Sequence, residues 1–258
     1  MSPARLSVNL NKVALLRNAR GGTVPDLTSC AEICLRAGAH GITLHPRPDR
    51  RHALAEDVVA MRELLAGWPG AELNVEGNPF PAFLELVERV GPHQCTLVPD
   101  APDALTSDRG WDFAREGERL RPVVARLRAR GIRVSLFVEP EPSQAQAAAR
   151  VGADRVELFT ARYARSSGTA EAGAVLERYA ATARAAAAAG VGVNAGHDLD
   201  LHNLPGFRVP GLLEVSIGQA LVADALIQGL DATVRAYLAA LGHALPAASA
   251  PPATASTG

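Results

Sequence analysis

The segment with the most chemically capable side chains is His-Pro-Arg-Pro-Asp-Arg-Arg-His, residues 45–52. It holds three arginines and two histidines within eight residues. Guanidinium groups bind phosphate through paired hydrogen bonds, and a histidine adds a further donor. Imidazole also transfers protons near neutral pH. The segment therefore predicts a phosphate-binding loop, with a solvated basic loop as the alternative.

Further titratable side chains stand at the ends of other short apolar runs. Glu76 ends the run 72–76, Glu157 lies near the end of the run 155–159, and His197 follows the run 190–195. Taken one at a time, such residues are commonly solvated or structural. Together with His45 they favour acid–base chemistry, because both residue types pass protons once their pKa values are tuned. The four could also hold a metal, but the neighbouring arginines would repel a divalent cation, so we predict no metal site.

Two more runs end in polar or small residues. Asn9 lies in the run 6–10, which Asn11 and Lys12 follow, and the run 212–217 is followed by Gly218 and Gln219. Backbone N–H groups at Gly218 could bind a second phosphate at a helix N-terminus. Lys12 is the only lysine of the chain. It either forms a Schiff base with a ketone substrate or contacts a phosphate or hydroxyl group.

The order of short apolar runs and longer amphipathic stretches predicts the fold. The predicted strands are 6–10, 41–45, 72–76, 94–98, 133–138, 155–159, 190–195 and 212–217. Strand followed by helix, about eight times over, predicts an α/β (β/α)8 TIM barrel with extra helices, one of them over 112–131. In such a barrel the carboxyl ends of all strands share one face, so the polar residues named above converge. A doubly wound sheet is the rival, but its G-x-G-x-x-G turn is absent after the first strand.

Composition bounds the remaining classes. The chain has 258 residues, 48% apolar and only 4% aromatic, so we expect one barrel domain over 1–243 with an aliphatic core. Residues 244–258, rich in Ala, Pro and Ser, predict a disordered tail. A net charge of −1 gives no footprint for nucleic acid or a membrane surface, and no signal peptide is evident, so we expect the cytoplasm. Cys30, Cys34 and Cys95 are interpreted as buried apolar residues.

Six segments together resemble the pyridoxine 5′-phosphate synthase family, in order and spacing, over about residues 6–243. They are V-N-L-N-K-V-A-L-L-R-N-A-R-G (8–21), G-A-H-G-I-T-L-H-P-R-P-D-R-R-H (38–52), L-N-V-E (73–76), V-S-L-F-V (134–138), V-N-A-G-H (193–197) and I-G-Q-A (217–220). The resemblance implies a barrel that condenses 1-deoxy-D-xylulose 5-phosphate with 3-amino-2-oxopropyl phosphate. Ring closure then gives pyridoxine 5′-phosphate and releases phosphate and water. It also implies no metal or organic cofactor, and a homo-oligomer, usually an octamer built from dimers.

The resemblance also implies roles for single residues. His45 and Glu76 match proton acceptors, His197 matches a proton donor, and Glu157 matches a carboxylate that stabilises the transition state. Contacts to the amino ketone phosphate are implied for Asn9, Arg20 and Gly218. Contacts to the deoxyxylulose phosphate are implied for Arg47, His52 and Thr106.

Several positions depart from the family pattern. Asn11-Lys12 replaces Asp-His, Pro46 and Pro48 stiffen the 45–52 segment, Phe-Thr-Ala (159–161) replaces His-Thr-Gly, Asp198 replaces glycine and Gln219 replaces histidine. A carboxylate at Asp198 would repel a phosphate. These departures leave two alternatives to the family reaction. The first is a divergent enzyme that condenses a sugar phosphate with a different amino ketone, with or without a phosphate group. The second is a non-catalytic barrel that binds a phosphorylated metabolite.

Overall fold

Eight parallel strands close into a barrel in a computed structural model, which describes residues 2–101 and 107–244. The strands are β1 Arg5–Asn9, β2 Gly41–Leu44, β3 Glu72–Gly77, β4 Gln94–Leu97, β5 Arg133–Val138, β6 Arg155–Phe159, β7 Gly192–Gly196 and β8 Leu212–Ile217. Each strand pairs with its neighbours in chain order, and β1 pairs with β8. The predicted TIM barrel is confirmed, with strand limits within two residues of those expected.

Ten α-helices surround the described part of the barrel. They are α1 Asn11–Asn18, α2 Leu27–Arg36, α3 Ala55–Ala66, α4 Pro81–Val90, α5 Phe113–Arg128, α6 Pro142–Val151, α7 Ala161–Ser166, α8 Ala172–Ala188, α9 Gln219–Gln228 and α10 Leu230–Leu241. Four helices end at glycines that the sequence marked, and all four have positive φ: Gly38, Gly131, Gly152 and Gly190. Such a conformation suits a residue without a Cβ atom.

The extra helices lie elsewhere than the sequence suggested. The helix predicted over 112–131 is present as α5, but it is the crossover between β4 and β5, so its description as an extra helix was wrong. The additional helices are the short α1 and α7 at the carboxyl ends of β1 and β6, together with α9 after β8. The β7–β8 connection has a single 3-10 turn, Leu204–Gly206, in place of an α-helix.

The strands have an aliphatic layer on their helix-facing side and a more polar layer inside the barrel. Side chains that face the helices are aliphatic, such as Leu6, Val8 and Ile42, as the low aromatic content predicted. The alternate strand residues face the barrel axis, and many of these inward side chains are polar. The hydroxyls of Ser7 and Thr43 lie 2.7 Å apart, and Thr96 bonds Asn74 at 3.0 Å. Because strand side chains alternate, the residue two positions after each inward polar residue also points to the axis, at the barrel mouth.

Two predictions concern positions beyond the described residues. Residues 245–258 of the predicted tail and Thr106 lie outside the described range.

Cys34 and Cys95 are buried and Cys30 is half-buried, and burial raises the pKa of each thiol. No helix among residues 2–101 and 107–244 combines the length and apolarity needed to cross a membrane.

Candidate active site

A cavity of about 310 Å³ opens at the carboxyl end of the barrel. Its lining contains most of the sequence-predicted site residues: Asn9, Asn11, Lys12, His45, Arg47, His52, Glu76, Glu157, His197, Asp198, Gly218 and Gln219. These residues come from the ends of β1, β2, β3, β6, β7 and β8. The predicted convergence is therefore confirmed for all of these residues.

Two predicted contacts are not in the lining. Arg20 is exposed, just beyond the end of α1. Thr106 lies outside the described residues. The lining adds Ser107 and Ser216, which the sequence analysis missed. Ser216 sits two residues after the inward-facing Glu214 on β8, so strand alternation was the signal that could have found it.

Hydrogen bonds link the first three strand ends. The backbone N–H of Asn11 donates to Oδ1 of Asn9 at 3.0 Å, and Oδ1 of Asn11 accepts from the backbone N–H of His45 at 2.8 Å. Nδ2 of Asn9 donates to Oε2 of Glu76 at 3.4 Å. Asn11 therefore fixes the backbone of His45, and Asn9 contacts the carboxyl of Glu76. The neutral side-chain amide of Asn11 makes this contact as a hydrogen-bond acceptor.

Burial sets the protonation states of the acid–base group. It lowers the pKa of His45 well below the usual value, and Arg47 and His52 lower it further. It raises the pKa of Glu76 well above the usual value, and Glu157 adds to the rise. Burial likewise raises the pKa of Glu157 to about 8, while a hydrogen bond from Thr96 opposes the rise. Burial therefore favours the neutral form of each group: an unprotonated imidazole and protonated carboxyls.

His197 packs against two aromatic rings that also contact each other. Its ring centroid lies 4.8 Å from that of Phe137 and 5.5 Å from that of Phe159. Burial lowers its pKa, with Asp198 the largest opposing influence. Below it, Gly196 has no side chain, and a Cβ atom there would stand 2.2 Å from Oε1 of Glu157. Glycine at this position allows the Glu157 carboxyl to approach the mouth beside His197.

The 45–52 segment forms the cationic wall of the cavity. Arg47 is buried and its Nη1 donates to Oδ2 of Asp100 at 2.9 Å, and Ser107 donates to the same oxygen at 2.8 Å. His52 is also buried, and burial with Lys12 lowers its pKa to about 4. Asp100 follows the end of β4, just as the other site residues follow the ends of their strands. Inspection of the polar residues after every predicted strand would have identified Asp100 as a site residue.

The Arg-Asn-Ala-Arg-Gly segment (17–21) anchors this wall. Nδ2 of Asn18 lies within hydrogen-bond distance of three consecutive carbonyls, those of Arg50, Arg51 and His52, at 3.2, 3.1 and 2.8 Å. Arg17 makes a two-pronged ion pair with Asp57 at 2.6 and 2.8 Å. The 17–21 and 45–52 segments are therefore held together in the structure.

Lys12 lies in the first turn of α1 and faces the cavity. Burial lowers its pKa, and the guanidinium groups of Arg51 and Arg47 lower it further. Among the described residues no carboxylate forms an ion pair with it. Gly218 precedes α9 and lies beside Asn9 of the neighbouring strand β1, and Asp198 and Gln219 line the same cavity. Within residues 2–101 and 107–244, His, Cys, Asp and Glu side chains form no group of three placed to hold a metal ion.

Fold and site define an α/β-barrel enzyme with an acid–base group beside a cationic wall suited to phosphate. The chain belongs to the family described as pyridoxal phosphate biosynthesis protein PdxJ, whose model matches residues 6–243. This confirms the resemblance seen in the sequence.

Named relatives support the same assignment. The chain is 53% identical over 241 residues to a pyridoxine 5′-phosphate synthase of Albidiferax ferrireducens, covering 91% of this chain and 96% of the relative. It is 54% identical over 244 residues to one of Xanthomonas campestris pv. campestris, covering 91% and 94%.

Solved structures of other enzymes share the fold. A tryptophan synthase from M. tuberculosis matches with a TM-score of 0.60 at 16% identity, covering 93% of this chain and 94% of that one. A phosphoribosyl anthranilate isomerase from Thermus thermophilus matches with a TM-score of 0.57 at 17% identity, covering 92% and 98%. At these identities the likeness concerns the fold alone.

Proposed function

We propose that this chain is a pyridoxine 5′-phosphate synthase. It condenses 1-deoxy-D-xylulose 5-phosphate with 3-amino-2-oxopropyl phosphate and closes the pyridine ring. The observation that carries the proposal is the single cavity that joins His45, Glu76, Glu157 and His197 to a cationic wall. Condensation and dehydration need several proton transfers and no redox step, and imidazole and carboxyl groups supply these.

Two groups of lining residues suit two phosphorylated substrates. Arg47 and His52, with Lys12 beside them, face the deoxyxylulose phosphate. Gly218 at the start of α9 offers backbone N–H groups and the positive end of a helix to the second phosphate. His45, a buried neutral imidazole, accepts a proton first. Glu76 gives its own proton to water when a cationic imine intermediate stabilises the carboxylate, and it then accepts a proton from that intermediate. His197 takes up a released proton and passes it to a leaving oxygen.

Growth of a bacterium that lacks its own pyridoxine 5′-phosphate synthase tests the proposal. Plasmid-borne wild-type chain should restore growth without vitamin B6. The Glu76→Gln variant, matched in shape and expression, should not restore it. Failure of the wild-type chain, with the protein present and folded, would contradict the proposed function.

A homo-oligomer in the cytoplasm is part of the same proposal. The helix α9 is largely apolar, yet Leu226 and Ile227 are 75% and 89% exposed. Nearby α1 exposes Leu16, and α1 and α9 are in contact. Burial of this face against another copy would remove apolar surface from water, as in the octamer that the resemblance implies. Sedimentation of the purified protein tests it, and a monomer at micromolar concentration would contradict it.

One observation favours a second candidate function. The exposed side chain of Asp198 shares the cavity with the start of α9, where a carboxylate opposes an incoming phosphate. In that case the amino ketone would be unphosphorylated. The double variant Asp198→Gly with Gln219→His would then gain turnover with 3-amino-2-oxopropyl phosphate. Unchanged turnover in the double variant, with the wild type active, would rule against the second candidate.

A further inference from the structure

The loop that carries His197 has no helix of its own to order it. Residues 197–211 join β7 to β8 through the 3-10 turn Leu204–Gly206, whereas most other crossovers of the barrel contain an α-helix. The position of His197 therefore depends on contacts from neighbouring elements.

Two consecutive residues of this loop have left-handed backbone conformations. The φ angle is 77° at His197 and 54° at Asp198. Residues with a Cβ atom adopt such values at a cost in free energy, and they keep them where the surroundings hold them. The backbone at the acid–base centre is thus held in place by other groups.

Thr160 supplies the first of these contacts. It is fully buried, directly after β6, and its hydroxyl lies 2.6 Å from the carbonyl oxygen of Gly196 and within reach of that of His197. One hydroxyl hydrogen serves either carbonyl, so the group bridges the two peptide units before and after the imidazole-bearing residue. The Thr160 N–H donates to the Gly196 carbonyl as well, at 3.1 Å.

Asn203 supplies the second contact. It is buried, and its Nδ2 donates to the carbonyl of Asp198 at 2.9 Å while its Oδ1 accepts from the Asp200 N–H at 3.0 Å. The Tyr163 hydroxyl, on α7, donates in turn to the Asn203 carbonyl at 2.8 Å. The β6–α7 segment therefore holds the loop on both sides of the left-handed pair.

We propose that Thr160 is a positioning residue, which fixes the left-handed backbone of His197 and so aims its imidazole into the cavity, with Asn203 fixing Asp198. The proposal rests on the acid–base role of His197 in the proposed function. It assigns a task to the threonine of Phe-Thr-Ala (159–161), which does not line the cavity.

A pair of buried threonine variants tests the proposal. Thr160→Val keeps the shape of the side chain and removes the hydroxyl. Thr182→Val is the matched control, because Thr182 is also fully buried and its hydroxyl donates to a carbonyl, that of Arg178, at 2.8 Å on α8. The measurements are kcat, KM for both substrates and the melting temperature of each variant. Thr160→Ser, which restores the hydroxyl, completes the set.

We expect Thr160→Val to lower kcat about 10- to 100-fold, with each KM changed less than about threefold, because a small displacement of a reacting group is costly. Thr160→Ser should recover most of the rate, and Thr182→Val should lose melting temperature without losing kcat. If Thr160→Val melts below the assay temperature, Asn203→Ala should show the same fall in kcat.

Three outcomes would overturn the proposal. The first is a Thr160→Val enzyme with the kcat of the wild type, or an Asn203→Ala enzyme with that kcat if Thr160→Val is unfolded in the assay. The second is a Thr182→Val enzyme whose kcat falls as far as that of Thr160→Val. The third is a Thr160→Ser enzyme that recovers none of the lost rate. An inactive wild-type protein would instead contradict the proposed function, so the two failures are distinguishable.

Discussion

Nδ1 of His45 lies 3.9 Å from Oε2 of Glu76, at the ends of the neighbouring strands β2 and β3. The separation admits an ion pair, but burial lowers the pKa of the histidine and raises that of the glutamate. Burial therefore favours the neutral form of both groups. The imidazole is ready to accept a proton, and the carboxyl becomes an acceptor only when substrate brings positive charge beside it.

The raised pKa of Glu157 predicts a pH-dependent stability. Burial lifts it to about 8 from an ordinary value near 4.5, so the folded protein keeps a proton that the unfolded chain loses between these pH values. The resulting stability is present in full below the lower value and is lost as pH rises through the upper one, by about 1.4 kcal/mol per pH unit at most. Glu157→Gln keeps the neutral shape and removes this loss.

Melting temperatures of wild type and Glu157→Gln from pH 5 to pH 8 measure the effect. The variant should gain on the wild type steadily as pH rises. An exposed control, Glu56→Gln, should show no such trend. A constant difference between Glu157→Gln and wild type across the range would contradict the assigned protonation of Glu157.

The ion pair of Arg47 with Asp100 predicts a large effect on folding. Both side chains are almost fully buried, so Asp100→Asn leaves a buried cation without its carboxylate and should lower the free energy of unfolding by about 3 kcal/mol. The exposed pair Arg50–Glu56 is the control, and Glu56→Gln should cost less than about 1 kcal/mol. Urea denaturation of the three proteins decides, and equal costs would contradict this account of the wall.

Asn18 predicts a selective loss of substrate binding. Asn18→Ala removes the amide that bonds the carbonyls of residues 50–52, so the cationic wall loses its anchor. We expect KM for the deoxyxylulose phosphate to rise about tenfold, with KM for the amino ketone nearly unchanged, since an unanchored loop must be ordered on binding. Steady-state kinetics with each substrate varied in turn measures it. An equal rise in both KM values would show a general disturbance of the site instead.

Lys12 predicts the outcome of chemical trapping. Burial and the guanidinium groups of Arg51 and Arg47 lower its pKa, and a bound phosphate dianion would raise that pKa again and favour the ammonium form. We therefore expect a phosphate or hydroxyl contact, and no covalent adduct when borohydride is added under turnover. Mass spectrometry of the Lys12 peptide checks this. A reduced adduct there would establish the Schiff-base alternative.

Much of this architecture could be predicted from the sequence because it rests on local patterns. Strand alternation and the repeated strand–helix order place His45, Glu76 and Glu157 at one barrel mouth without any knowledge of contacts. The pairing of Asn18 with residues 50–52 could not be predicted, since it depends on how α1 packs over a distant loop. The hydrogen bonds from Thr160 to the backbone around His197 could not be predicted either, because neither the residue types nor their spacing indicates a left-handed backbone.

The most direct measurement is product formation by the purified protein, supplied with 1-deoxy-D-xylulose 5-phosphate and freshly generated 3-amino-2-oxopropyl phosphate. Pyridoxine 5′-phosphate is followed by mass spectrometry and inorganic phosphate by a coupled assay. The account predicts that both appear at equal rates and that His45→Asn lowers those rates about 100-fold or more. Binding of the deoxyxylulose phosphate without any pyridoxine 5′-phosphate would contradict it.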